Sequence, residues 1–305
     1  MQKHQRKTLI ALTLTIILSL TLVAPLVEAK PSKLPKGLQK KIPKSGFIVR
    51  EDLGAVIRYW EYIPLDPEIA NIFSVDSSML EDITDNPFYS VNVYAYETED
   101  SVIVIDAGHE LLSKKLYACL VSDFGKKPLT VLLTHGHADH AGGGSFLQKK
   151  GADVYVSYAD EALVQYGYNF SGIPEDFTYT GYQPLIYQTS SIADLVIIPT
   201  PGHTYGSVSL YQQATGILFS GDLTITMFEE TNPRDFTSEV EYFALKSLPS
   251  DMSGLQMGSL QYILSQVGYY SGIYSGHNGP YIGTEDMMSV ILMTMGAISG
   301  TIPYP

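Results

Sequence analysis

The stretch THGHADHAGG, residues 134–143, places His135, His137, Asp139 and His140 within six positions. A mixture of imidazoles and a carboxylate suits zinc, iron or manganese, whereas all-oxygen and all-thiolate sites call for other residues. On an extended loop, residues two apart project to the same side, so His135 and His137 can grip one ion. Asp139 and His140, just beyond, are placed at a helix start and face a second ion about 3.5–4 Å from the first. The bland alternative is a histidine-rich surface loop, and the remaining histidines argue against it.

Of the 7 histidines, His4 lies in the amino-terminal run, which leaves His109, His135, His137, His140, His203 and His277. All of these except His109 stand at the end of a predicted strand beside glycine, threonine or aspartate. Core histidines would be scattered among apolar runs instead. His203, in PTPGHTYGS, follows the strand-like run DLVIIP and completes a three-histidine face on the first ion. Asp222, in FSGDL, is a charge directly after the apolar run GILFS. A carboxylate placed there wants a cation, and it can bridge two. His277, in YSGHNGP, closes the second site.

These residues need elements to position them. GAVIRYWEYI and SVNVYAYETEDSVIVIDAG read as strands, the latter a hairpin turning at ETED. LLSKKLYACLVSDF has helical spacing and ends at Gly125. PLTVLLT is a dense β-branched run, hence a buried strand, followed by a helix in DHAGGGSFLQKKG and a strand in ADVYVS. The histidine stretch thus falls at a strand's carboxyl end, where ligands bind in open α/β sheets. DLVIIPT, GSVSLYQQ and GILFSGD follow as strands, SEVEYFALKSL and LQMGSLQYILSQV as helices, SGIYSGH as a strand and TEDMMSVILMTMG as a last helix. The reading is one α/β domain over residues 46–305.

Ahead of it, residues 1–29 combine the basic MQKHQRK, an uncharged apolar run and the small residues of VEA, the pattern of a signal peptide cleaved after Ala29. An uncleaved membrane anchor is the rival reading, since the run approaches the length of a membrane span. Residues 30–45 form a linker rich in lysine and proline. Of 19 Lys and Arg, ten lie from residue 46 onward, against 31 of the 32 Asp and Glu, so the body carries about −21. Nucleic-acid binding depends on neutralising phosphates with lysine and arginine, so a nucleic-acid partner is excluded. The single cysteine, Cys119 in LYACLV, cannot form an intrachain disulfide and reads as a structural thiol.

In this order, THGHADHAGG, PGHTYGS, SGD and SGHN resemble the metallo-β-lactamase superfamily, over about 90–280, with VIVIDAGH similar to its aspartate-glycine element. The resemblance implies a four-layer αββα sandwich with two divalent metal ions at one edge between the sheets, zinc first, with manganese or iron as alternatives. It places His135, His137 and His203 on one ion, Asp139, His140 and His277 on the other, and Asp222 as a bridge. It implies a metal-bridging hydroxide as nucleophile, Asp139 as the catalytic residue that handles its proton, and Asp106 as a residue that orients a ligand histidine from behind. Tyr205 stands where the family often has proline and is the candidate substrate contact. Tyr158, Tyr166, Tyr168, Tyr179, Tyr182 and Tyr187 read as packing under a long loop, with a tyrosine-lined lid as the alternative.

Departures from the family's subgroups narrow the activity. A carboxylate at Asp222, rather than cysteine or serine, counts against β-lactamase activity. Residues 278–305 carry no lysine or arginine, against the glyoxalase II type, and LTIT after Asp222 lacks the tyrosine of homoserine-lactone hydrolases. The acidic body and the leader oppose ribonuclease Z. What remains is an exported hydrolase of a small neutral or cationic ester, lactone, amide or phosphoester. The rivals are an iron-dependent oxidoreductase on the same fold and a non-catalytic metal-binding protein. The implied partner is a small-molecule substrate, with membrane contact only through an uncleaved amino-terminal segment; the oligomeric state is not readable. The domain is expected outside the cytoplasm, secreted, periplasmic or anchored. Amino-terminal sequencing of the exported protein is expected to begin at Lys30; intact exported protein retaining Met1 would overturn cleavage.

Overall fold

Thirteen short strands form two sheets in this computed structural model, which describes residues 48–64, 88–166, 183–185, 190–224, 245 and 248–302. The leader, the linker and most of SEVEYFALKSL lie outside the described residues. The first sheet runs in chain order: β1 (Ile48–Asp52), β2 (Ile57–Pro64), β3 (Phe88–Glu97), β4 (Val102–Ile105), β5 (Leu129–Leu132), β6 (Asp153–Ser157) and β7 (Gln183–Leu185). Its pairings are antiparallel from β1 to β4 and parallel from β4 to β7. The second sheet holds β8 (Ser191–Ile192), β9 (Leu195–Pro199), β10 (Val208–Gln212), β11 (Ile217–Gly221), β12 (Gly272–Ser275) and β13 (Tyr281–Ile282), in the order β13-β12-β11-β10-β9-β8. Only the β11–β12 pair in it is parallel.

The helices are α1 (Ser113–Phe124), the single turn α2 (Ala138–Ala141), α3 (Gly144–Lys149), α4 (Glu161–Tyr166), α5 (Ser250–Gln266) and α6 (Thr284–Ser299). Strand alternation assigns each side chain to a layer. On β4, Ile103 and Ile105 face the second sheet, with Tyr94, Leu132, Leu210 and Phe219, while Val102 and Val104 face Leu116 and Leu120 of α1 and Leu147 of α3. On β11, Ile217 and Phe219 point inward and Leu218 outward, to Leu260 and Ile263 of α5 and Met287 and Val290 of α6. Three apolar layers therefore separate helix, sheet, sheet and helix, the αββα sandwich. Among the described residues, no helix is long and apolar enough to cross a membrane.

Two local readings change. β1 was not anticipated: IVRED is a half-exposed edge strand whose hydrogen bonds to β2, not an apolar pattern, define it. DHAGGGSFLQKKG is not one helix. It breaks at Gly142 and Gly143, where the Gly143 N–H donates to the Gly108 carbonyl at 2.8 Å and consecutive glycines favour no continuous helix. Gly125 does end α1, with a positive φ of 73°. Cys119 is partly buried against the helix-side core, and that burial raises its thiol pKa, as a structural thiol requires.

The sheets are also joined by polar bonds at one edge. The Asn92 side-chain amide on β3 donates to the carbonyls of Ser275 (3.0 Å) and Asn278 (2.6 Å), and the Tyr94 hydroxyl donates to Ser275 at 2.8 Å. The Asn92 N–H donates to the Gly276 carbonyl at 2.7 Å. This clamp fixes the turn after β12 that carries His277. Replacing the buried Asn92 with alanine removes its two side-chain bonds to these carbonyls and leaves them only their other donors, and we expect a loss of about 1–3 kcal/mol. It should appear as a lower urea midpoint at unchanged slope.

Candidate metal centre

The seven residues singled out in the sequence meet at the carboxyl-end loops of both sheets. His135 and His137 follow β5, Asp139 and His140 lie in α2, His203 follows β9, Asp222 directly follows β11 and His277 follows β12. Their ligand atoms form three overlapping groups, each within 4.8 Å: His135, His137 and His203; His135, His140 and Asp222; Asp139, His140 and His277. In the first group, His137 Nδ1 lies 3.0 Å from His135 Nε2 and 2.9 Å from His203 Nε2. Asp222 stands between the groups. Its Oδ1 is 3.2 Å from His140 Nε2, and its Oδ2 is 3.2 Å from His277 Nε2, 3.3 Å from His203 Nε2 and 3.7 Å from His135 Nε2. Asp139 Oδ2 reaches His277 Nε2 at 3.5 Å and His140 Nε2 at 3.6 Å.

What lies behind the rings fixes their tautomers. His140 Nδ1 donates to Asp106 Oδ2 at 2.9 Å, and His277 Nδ1 donates to the Ser90 carbonyl on β3. The Thr134 hydroxyl donates to Asp106 Oδ2 at 2.9 Å and so receives the Nδ1 proton of His135, 3.1 Å away. Three rings therefore turn unprotonated Nε2 lone pairs toward the Asp222 carboxylate. Lone pairs facing carboxylate oxygens in a buried site repel unless a cation or proton lies between them. Asp222 Oδ1 is buried and receives no well-directed hydrogen bond. The donor set and its orientation fit divalent metals.

Electrostatics of the metal-free chain agree. Burial alone would lower the His140 pKa, but Asp222, Asp139 and Asp106 raise it well above the usual histidine value. Burial, with neighbouring His140, drives His135 well below it, and burial likewise lowers His203. Burial opposes ionisation of Asp222, yet His140, His277 and His135 hold its pKa well below the usual carboxylate range. The same carboxylates that raise the His140 pKa are the groups a bound cation would satisfy.

Asp106 takes a left-handed backbone (φ 64°), is buried, and also accepts from the Thr134 N–H at 2.7 Å, so it grips both the β5 loop and His140. Gly276 allows the closest approach, because a Cβ there would lie 2.2 Å from Asp222 Oδ1. Tyr205 is exposed, its hydroxyl donating to Asp251 in the first turn of α5 at 2.6 Å. Tyr158 is exposed too; the side chains of the other five tyrosines between the ligand segments lie outside the described residues. His109 joins no ligand group and instead caps the turn at Glu110–Leu112, accepting from the Leu111 N–H.

Residues 86–265 match the model of the metallo-beta-lactamase superfamily, more than half of the chain, and the chain belongs to that superfamily. A probable metallo-hydrolase of Bacillus subtilis, YybB, is 31% identical over 150 residues, 47% of this chain and 66% of its own length. A hydroxyacylglutathione hydrolase of Erwinia tasmaniensis is 32% identical over 41% of this chain and 45% of its own length. The chain thus spans less than two thirds of either relative. The metallo-β-lactamase FIM-1 of Pseudomonas aeruginosa, in its mono-zinc form, superposes with a TM-score of 0.59 at 18% identity, covering 86% of this chain and 100% of that one, which establishes a shared fold.

Sequence reasoning missed four buried polar residues around the centre. Gln256 on α5 donates to the Leu223 carbonyl at 3.0 Å, and Ser259 on the same helix donates to the Pro201 carbonyl at 2.8 Å, so α5 holds the loops of both Asp222 and His203. Asp160 lies against the histidine loops. Glu61 on β2 is fully buried; its Oε2 accepts from the His109 N–H at 2.8 Å and its Oε1 has no hydrogen-bond partner. Burial pushes the Glu61 pKa up to about 8; the His109 N–H opposes the rise and Asp139 adds to it. A raised carboxyl pKa means the folded chain keeps a proton that the unfolded chain has lost. The stabilising effect of that proton is complete below the unfolded value near 4.5 and disappears as pH climbs to about 8. Glu61→Gln cannot titrate, so its stability relative to the parent is expected to improve between about pH 5 and pH 8, measured by urea unfolding at both.

Proposed function

We propose that this chain is a metal-dependent hydrolase of a small neutral or cationic ester, lactone, amide or phosphoester. The observation that carries the reading is the convergence of His135, His140 and His277 lone pairs on the Asp222 carboxylate, with Nδ1 of each ring already committed. His135, His137 and His203 would hold one ion, Asp139, His140 and His277 a second, and Asp222 would contact both. Bound divalent metals supply Lewis acidity toward a carbonyl or phosphoryl oxygen and lower the pKa of water toward neutrality.

The chain's own residues do the rest. Asp106, the Ser90 carbonyl and Thr134 keep the Nδ1 protons of the rings in place, which aims Nε2 inward and prevents ring rotation. Asp139 is the less buried carboxylate, and its contacts to the imidazoles are longer than hydrogen bonds. That leaves it able to accept a proton at its carboxylate and pass it to a leaving group. The acidic body, about −21, disfavours polyanionic substrates. Two metals, with zinc first, and export through the amino-terminal leader complete the proposal; relatives named as hydrolases support the reaction class.

Metal content per chain, measured by elemental mass spectrometry on protein purified without chelators or added metal, is the direct test. Two zinc or manganese ions per chain are expected; about one iron would favour the oxidoreductase, and reproducibly no metal would overturn the reading. His137→Ala and Asp222→Ala are each expected to fold, by circular dichroism, and to lose turnover in an ester, lactone and phosphoester screen. Full activity in either would sink the mechanism.

A further inference from the structure

Resting on that metal-dependent reading, we propose that Asp160 is a positioning residue for the three-histidine site, fastening the loop of His135 and His137 to the loop of His203. Asp160 ends the short turn Tyr158–Asp160 after β6 and is fully buried. Its Oδ2 accepts from the Gly136 N–H at 2.9 Å and from the Thr204 hydroxyl at 2.6 Å, and its Oδ1 accepts from the Gly206 N–H at 2.8 Å. Gly136 lies between His135 and His137, and Thr204 directly follows His203. One carboxylate thus receives donors from both loops that carry the three histidines.

At their bases the loops are already joined, since the Val208 N–H donates to the Thr134 carbonyl at 2.9 Å. Asp160 joins them beyond that point, where the imidazoles project. The approach is close enough to dictate glycine. A Cβ at Gly206 would stand 2.5 Å from Asp160 Oδ1, and one at Gly136 would stand 2.8 Å from Leu163 Cβ on α4. The site also favours a carboxylate over an amide, because three donors converge on its two oxygens. Thr204 is held in turn by Ser207, whose hydroxyl accepts from the Thr204 N–H at 3.0 Å.

The hydrogen bonds of Asp160 go to Gly136, Thr204 and Gly206, the neighbours of His135, His137 and His203 in the chain. His140 is held by Asp106, His277 by the Ser90 carbonyl and the loop of Asp222 by Gln256. A purely structural aspartate would loosen both metal sites together when replaced, whereas this geometry predicts a selective effect on one.

The test is a zinc titration of the full-length protein and of Asp160→Asn and Thr204→Val. Affinity is read by competition with a chromophoric chelator, and histidine-ring NMR signals assign each zinc to its site. Asp160→Asn keeps the shape but turns an NH2 group toward N–H donors. It is expected to fold, by circular dichroism, and to lose about 10–100-fold in zinc affinity at His135, His137 and His203, with the other site unchanged. Thr204→Val removes one donor and keeps the carboxylate, so a smaller loss at the same site is expected. Unchanged affinity at the three-histidine site in folded Asp160→Asn, or equal losses at both sites, would overturn the assignment. If Asp160→Asn does not fold, Thr204→Val decides: loss confined to the three-histidine site supports the proposal, and no loss overturns it. A parent protein that takes up no zinc would bring down the metal reading together with this one, whereas two zincs in the parent and an unaltered variant sink only the role of Asp160.

Discussion

Lone pairs repel, and this fold aims seven side chains bearing them at one small volume. Three of the imidazoles have their outer nitrogen committed to Asp106, Thr134 or the Ser90 carbonyl, so their inner nitrogens cannot relieve the repulsion by turning. Asp222, Asp139 and Asp106 raise the His140 pKa against the penalty of burial, as expected of a cluster that calls for positive charge. Such an arrangement persists only if the surrounding structure overrides the local preference of these groups to separate and hydrate. Everything around the cluster follows from that requirement.

The sandwich meets it by dividing the donors between two sheets and then locking the sheets together. The first sheet supplies His135, His137, Asp139 and His140 from the segment after β5; the second supplies His203, Asp222 and His277 after β9, β11 and β12. The apolar layer of Tyr94, Ile103, Ile105, Phe219 and Tyr274 sets the spacing of the sheets. Asn92 and Tyr94 then bind the β12 turn to β3, while Gln256 and Ser259 of α5 hold the loops of Asp222 and His203 from outside. Apolar packing alone would tolerate sliding; the directional bonds at the site edge do not.

The ligand cluster was legible in the sequence because its members are chemically conspicuous and stand where apolar strand runs end. Asp106 was legible through its aspartate-glycine context, and the layer pattern through the family resemblance, while runs such as VIVI and ILFS showed only buried strands. Asp160, Glu61 and Gln256 were not legible. Each looks like an ordinary surface residue in its own neighbourhood, YAD, RYWEY or GLQMG, and becomes special only through partners 24 to 48 residues away, as Asp160 does with Gly136 and Glu61 with His109. The same limit explains β1, whose charged IVRED sequence is a strand because β2 offers it an open edge. Local pattern reports which face a residue prefers, not which distant backbone amide will meet it.

The three aspartates that touch the rings, Asp106, Asp222 and Asp139, divide their work by how their oxygens are committed. Asp106 spends both on Thr134 and His140. Asp222 has Oδ1 against His140 and Oδ2 against His277 and His203, and those imidazoles keep it ionised. A carboxylate so deeply stabilised as an anion is a poor carrier of protons, since Brønsted behaviour rewards a group whose proton leaves and returns near the working pH. Asp139 differs from both. It touches the rings at 3.5 and 3.6 Å through one oxygen, and its side chain retains 16% exposure against 9% for Asp222. Within the proposed centre, proton transfer is the role we propose for Asp139: Asp106 orients a ring, Asp222 sits against three imidazoles, and Asp139 keeps the greater exposure toward a substrate arriving from solvent.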